Sequence, residues 1–120
     1  MGAKRVLAIE DSPTVREVIR RVLGPIGFEI IEAESCQGAI EAMEGGKPDL
    51  VIADCNLPGV ELSRFLRTVR RGGADVPVLM LSAGGSGAPA GAADVLYRPF
   101  VPDRLISKAI ALVAEVSGAA

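Results

Sequence analysis

Short apolar runs alternate with amphipathic stretches along this chain, and the two spacings predict strands and helices in turn. Val6 to Ile9 is a four-residue apolar run, too short for a helix and suited to a buried strand. Asp11-Ser12-Pro13 then supplies a capping residue and a proline where a helix starts. Val15, Val18, Ile19, Val22 and Leu23 recur at helical spacing, Arg16, Glu17, Arg20 and Arg21 fall on the other face, and Gly24-Pro25 stops the segment. Phe28 to Ile31 reads as a second strand. Ser35 caps a helix that carries Ala39, Ile40 and Met43 and ends at Gly45-Gly46.

The unit then repeats. Leu50 to Ala53 is a third strand ending on Asp54, and Leu57-Pro58-Gly59 makes a turn. Leu62, Phe65, Leu66 and Val69 mark a third helix with Arg64, Arg67 and Arg70 on its outer face. Pro77 to Leu81 is a fourth strand ending on Ser82, and Val95 to Tyr97 a fifth ending on Arg98. A last helix runs from Pro102 to Val116, with Leu105, Ala109, Leu112 and Val116 inward. Only Ala83 to Ala93 breaks the pattern. Its Gly84, Gly85, Gly87, Pro89 and Gly91 come with no large apolar side chain to bury. Each interior glycine costs a helix about 1 kcal/mol and a proline about 3. The helix between strands 4 and 5 is therefore expected to be missing or cut to a single turn.

Strands alternating with helices predict an α/β fold, a doubly wound parallel sheet with helices on both faces. For five strands the order expected from that class is 2-1-3-4-5, the flavodoxin-like arrangement. The 120 residues make one domain, 1–120, and 49% hydrophobic with only 3% aromatic residues predicts an aliphatic core. A formal net charge of −2 does not suggest a nucleic-acid or membrane surface. No leader pattern and no apolar run of spanning length is present, and Cys36 and Cys55 form neither a disulfide framework nor a metal cluster. A reducing cytosol is the expected compartment.

Sheets of this kind bind ligands beyond the carboxyl ends of their strands, at the switch point between strands 1 and 3. Those ends carry Glu10-Asp11, Asp54, Ser82 and Arg98. With strands 1 and 3 adjacent, three carboxyl groups converge, which is costly unless a cation sits among them. A hard divalent ion, Mg²⁺ or alternatively Mn²⁺, suits such oxygen ligands. Ser82 and Arg98 would meet phosphoryl oxygens on the far side. Asp54, lying centrally, is the candidate nucleophile for an aspartyl-phosphate.

Ile9-Glu10-Asp11-Ser12, then Asp49 to Asp54 with Leu57-Pro58-Gly59, Leu81-Ser82-Ala83 and Tyr97-Arg98-Pro99-Phe100 resemble the bacterial response-regulator receiver family from end to end. The resemblance implies a two-component or phosphorelay signalling module, not an enzyme beyond its own phosphoryl transfer and dephosphorylation. It implies that Asp54 takes the phosphoryl group from a histidine kinase or phosphotransfer protein and that an output protein reads the result. Glu10, Asp11, Asp54 and the backbone carbonyl of Asn56 would hold Mg²⁺, Ser82 would be the switch hydroxyl, and the Arg98–Pro99 bond would be cis. Three departures stand out. Arg98 replaces the family's lysine, Val95 replaces its switch aromatic, and the stretch from Ser82 to Arg98 is shorter by roughly one and a half turns at 3.6 residues per turn.

Singly, each residue has an ordinary reading: Asp11 as a helix cap, Asp54 as a loop acid, Ser82 as a turn hydroxyl, Arg98 as a surface cation. Their joint placement at strand ends favours the phosphorylation site. A pseudo-receiver, a phosphorylation-independent interaction module, is the alternative that Arg98 and Val95 favour. A flavin binder is disfavoured, because Glu10-Asp11 would repel a phosphate after strand 1 and few aromatics could stack on a flavin. Gly84-Gly85-Ser86-Gly87 is a weak phosphate-loop signal, and Cys55 reads as an inert small side chain. Ile106 and Ile110 widen the apolar arc of the last helix, which admits a partner or weak dimer surface.

Overall fold

The computed structural model describes residues 2–54, 57, 59–70, 76–82 and 92–116, with only the backbone at 59–60 and 115–116. Five strands, β1 (Arg5–Ile9), β2 (Glu29–Ala33), β3 (Leu50–Asp54), β4 (Val78–Ser82) and β5 (Asp94–Tyr97), form one sheet in the order β2-β1-β3-β4-β5. All four pairings are parallel. The described helices are α1 (Pro13–Leu23), α2 (Cys36–Ala42), α3 (Gly59–Arg70) and α4 (Pro102–Val116). The expected 2-1-3-4-5 order is the observed one. The helix expected to be missing or short would fall between β4 and β5, and 83–91 lie outside the described residues.

Period-two alternation sorts the strand side chains into two layers. Leu7, Ile9, Val51, Ala53, Val78 and Met80 face α2 and α3, packing on Cys36, Ala39, Leu62, Phe65, Leu66 and Val69. Val6, Ala8, Leu50, Ile52, Leu79, Leu81 and Leu96 face α1 and α4, packing on Ile19, Leu23, Leu105, Ala109, Leu112 and Val113. Central strands β3 and β4 are buried at every position. Among the described residues no helix is long and apolar enough to cross a membrane.

Local signals set the helix starts. The Val15 N–H donates to Ser12 Oγ at 3.3 Å with Pro13 in the first turn, and the Gly38 N–H donates to Ser35 Oγ at 3.1 Å. Each such cap stabilises its helix by about 1 kcal/mol. After α1 the chain makes a short 3₁₀ turn and reverses at Gly27, whose φ of 109° favours glycine.

Some expected positions shift. β2 runs to Ala33 rather than stopping at Ile31, because pairing with β1 continues through Ala8↔Glu32 and Ile9↔Ala33. As an edge strand it tolerates Glu29 and Glu32, which interrupt its apolar pattern. Gly59 belongs to α3, not to the turn before it. Val18, expected on the inner face of α1, is 38% exposed at the margin of the buried stripe. Val113 is buried on α4, while the side chain of Val116 lies outside the described residues.

Candidate functional site

Adjacent strands bring the acidic residues level. The β1–β3 register pairs Ile9 with Ala53, so Glu10 and Asp54 stand side by side one residue further on, and Asp11 follows. One carboxylate oxygen from each of Glu10, Asp11 and Asp54 lies within 4.8 Å of the others. Glu10 and Asp54 are buried, whereas Asp11 opens to solvent.

Arg98 arrives from the far edge. Its N–H donates to the Ser82 carbonyl at 2.8 Å, which carries the β4–β5 ladder one step past the strands. The Arg98–Pro99 bond that follows is cis. The Arg98 Nη2 donates to Glu10 Oε1 at 2.8 Å and stands 3.5 Å from Asp54 Oδ2. The arginine in the lysine position thus contacts two of the three acids, with the closer contact to Glu10. Ser82 is buried at the end of β4, one residue beyond Leu81, the partner of Asp54. Val95 packs, half-buried, against the layer under α2 and α3, and Tyr97 is exposed. Cys55 and Asn56, the latter expected to lend a metal its carbonyl, lie outside the described residues.

Burial pushes the Glu10 carboxyl up to about 7, and the Asp54 carboxyl beside it adds to the rise against the lowering influence of Arg98. Its second oxygen, Oε2, is buried without a hydrogen-bond partner. Three converging carboxylates, one with an orphaned buried oxygen, fit a hard divalent cation. The raised Glu10 also has a sign for stability. The unfolded group ionises from about 4.5 and the folded one only near 7, so this carboxyl favours the fold at low pH and that contribution is lost as pH rises between them. Arg98→Ala in metal-free buffer should cost about 1–3 kcal/mol at pH 8, as a buried acceptor loses its donor. The cost should shrink at pH 6, where Glu10 holds its proton; urea unfolding at the two pH values checks this.

Two residues near the site escaped the sequence reading. Arg16, expected on the outer face of α1, donates from Nη1 to the Glu10 carbonyl at 2.6 Å and from Nε to Glu32 Oε1 at 3.1 Å. Glu32 on β2 also accepts from Arg20 at 2.7 Å. Helical spacing distinguishes faces but does not say which outward arginine folds back toward a strand end. The only available signal was the glutamate inside β2, which read as the end of the strand.

The response regulator receiver domain family matches residues 6–110. The chain is 33% identical over 123 residues to the phosphate regulon transcriptional regulatory protein PhoB of Escherichia coli (strain K12), covering 96% of this chain and 54% of that protein. It therefore spans about half the length of the curated relatives it matches. Among solved structures, the chemotaxis response regulator CheY4 of Vibrio cholerae superposes with a TM-score of 0.79 at 27% identity, over 92% of this chain and 98% of that one. The response regulator TrrA of Thermotoga maritima, solved in complex with Mg²⁺–BeF, gives 0.76 at 28%, over 91% and 98%. With the acidic cluster at the ends of β1 and β3 in a 2-1-3-4-5 sheet, these likenesses lead to one conclusion: the chain belongs to the response-regulator receiver family.

Proposed function

We propose that this receiver is a phosphorylation switch that takes a phosphoryl group on Asp54 and presents that state to an output protein. The observation that carries the reading is the convergence of Glu10, Asp11 and Asp54 within 4.8 Å, with Arg98 against two of them. An Asp54 carboxylate oxygen attacks the phosphorus of a phosphohistidine on a kinase or phosphotransfer protein, or of acetyl phosphate. The P–N or P–O bond breaks, its electron pair leaves with the imidazole nitrogen or with acetate, and an acyl phosphate remains on Asp54. Water later hydrolyses that bond. Glu10, Asp11 and Asp54, with the Asn56 carbonyl, would hold Mg²⁺, which when bound would neutralise charge on the phosphoryl oxygens. The TrrA complex with Mg²⁺–BeF supports that choice of ion. Arg98 and the Ser82 hydroxyl are the donors assigned to the remaining phosphoryl oxygens.

The Arg98 contact also favours a second reading. A guanidinium already between Glu10 and Asp54 compensates part of their charge, as suits a phosphorylation-independent interaction module. One measurement separates the two. Incubated with acetyl phosphate and Mg²⁺, the protein should gain the mass of one phosphoryl group, and EDTA should prevent the gain. An unchanged intact mass with donor and metal present would overturn the switch and leave the interaction module.

A further inference from the structure

We infer that Arg16 is a positioning residue for the metal-binding pair Glu10-Asp11, clamped in that role by Glu32 of β2. The inference rests on the metal reading above. Arg16 differs from its neighbours on α1: its side chain is 17% exposed, against 52% for Arg20 and 78% for Arg21. Its fork is divided between two partners. Nη1 donates to the Glu10 carbonyl and Nε to Glu32 Oε1.

The bond to Glu10 matters because of which peptide it holds. The Glu10 N–H already donates to the Ala33 carbonyl at 3.0 Å, so the residue is fixed on its amide side by β2. The Glu10 carbonyl belongs to the peptide plane shared with Asp11. Arg16 fixes that plane through its carbonyl, and with it the direction in which the exposed Asp11 carboxylate leaves the chain. Glu32 lies opposite Ala8 in the ladder and anchors the arginine from the strand next to the site. Groups that orient metal ligands from behind commonly change metal affinity 10–100-fold when removed.

Charge and position predict opposite signs here. Deleting a cation near an acidic cluster, taken alone, tightens binding of a divalent ion. Losing the clamp weakens it. Mn²⁺ binding to the full chain, read from the resonance of the free ion by electron paramagnetic resonance, reports affinity without any phosphoryl transfer, and urea unfolding reports the folded fraction. Arg16→Gln should weaken Mn²⁺ binding by about tenfold in the folded protein. Arg21→Gln, the same charge change on the same helix, should not weaken it. Arg16→Lys keeps the charge but loses the planar fork, so it should weaken binding by a smaller factor, and it carries the test if the glutamine variant fails to fold. A wild-type chain that does not bind Mn²⁺ would overturn the metal reading and this inference together. A wild-type chain that binds while either Arg16 variant binds equally well or more tightly would overturn the inference alone.

Discussion

Asp54→Asn should abolish phosphoryl incorporation from acetyl phosphate completely, with the intact mass unchanged at any Mg²⁺ concentration. A carboxylate carries the negative charge that attacks phosphorus, and the nearly isosteric amide does not. Neither neighbour can take over. Glu10 is 1% exposed and holds Arg98, and Asp11 is exposed to solvent. The substitution should leave the fold intact. It removes one of two adjacent buried acids, so the metal-free variant should be at least as stable in urea as the parent. That second measurement guards the first, since a lost mass gain then reports lost chemistry rather than lost structure. A full mass gain in the Asp54→Asn variant would place the phosphoryl group elsewhere.

Phe65→Ala should be the most destabilising single change in the layer between the sheet and helices α2 and α3. Phe65 is fully buried and is among the largest fully buried side chains of the described residues. Around it stand aliphatic groups from β1, β3 and β4 and from α2, which cannot close over the void without moving the sheet. Truncating a buried phenylalanine to alanine costs about 3–5 kcal/mol. Domains of this size hold only about 5–15 kcal/mol in total, so roughly a fifth or more of the stability should go. Urea unfolding with an unchanged slope and a lowered midpoint is the expected record. Phe65→Leu, which keeps most of the contacts, should lose markedly less. A loss under about 1 kcal/mol for the alanine variant would mean that the layer repacks freely.

The fold was legible because its signals are local and redundant. Most strands centre on a short run of apolar residues, and each helix has a cap or a breaker at its ends. Edge strand β2 was the weakest element in the sequence, because Glu32 breaks its apolar run while the backbone ladder continues beneath it. The acidic cluster was legible for a topological reason: once β1 and β3 are neighbours, the residues that follow Ile9 and Ala53 must stand together. Partner choice was not legible. Arg98, placed by its strand end to meet phosphoryl oxygens on Asp54, does stand near it, but the shorter contact is with Glu10. Arg16 looked like any other charged residue on a solvated helix face. Which of several arginines reaches inward depends on the distance and angle between α1 and the end of β1, and neither is written in a periodicity.

The contact between Arg98 and Glu10 joins residues 88 positions apart. That separation gives the site an order of assembly. β1, β2 and β3 can pair as soon as residue 54 is available, and their pairing already sets Glu10 beside Asp54. The cation that relieves this pair belongs to the end of β5, behind a long loop closure whose entropy must be met first. Until β5 docks, the young sheet carries two neighbouring acids with no arginine between them. Protons or divalent ions must shield the acids in the meantime. A chain growing from a ribosome, where amino-terminal elements form first, meets this condition each time it is made. Its acidic cluster is thus the last part of the sheet to be completed, and a chain cut short before residue 98 would hold the acids without their closing partner.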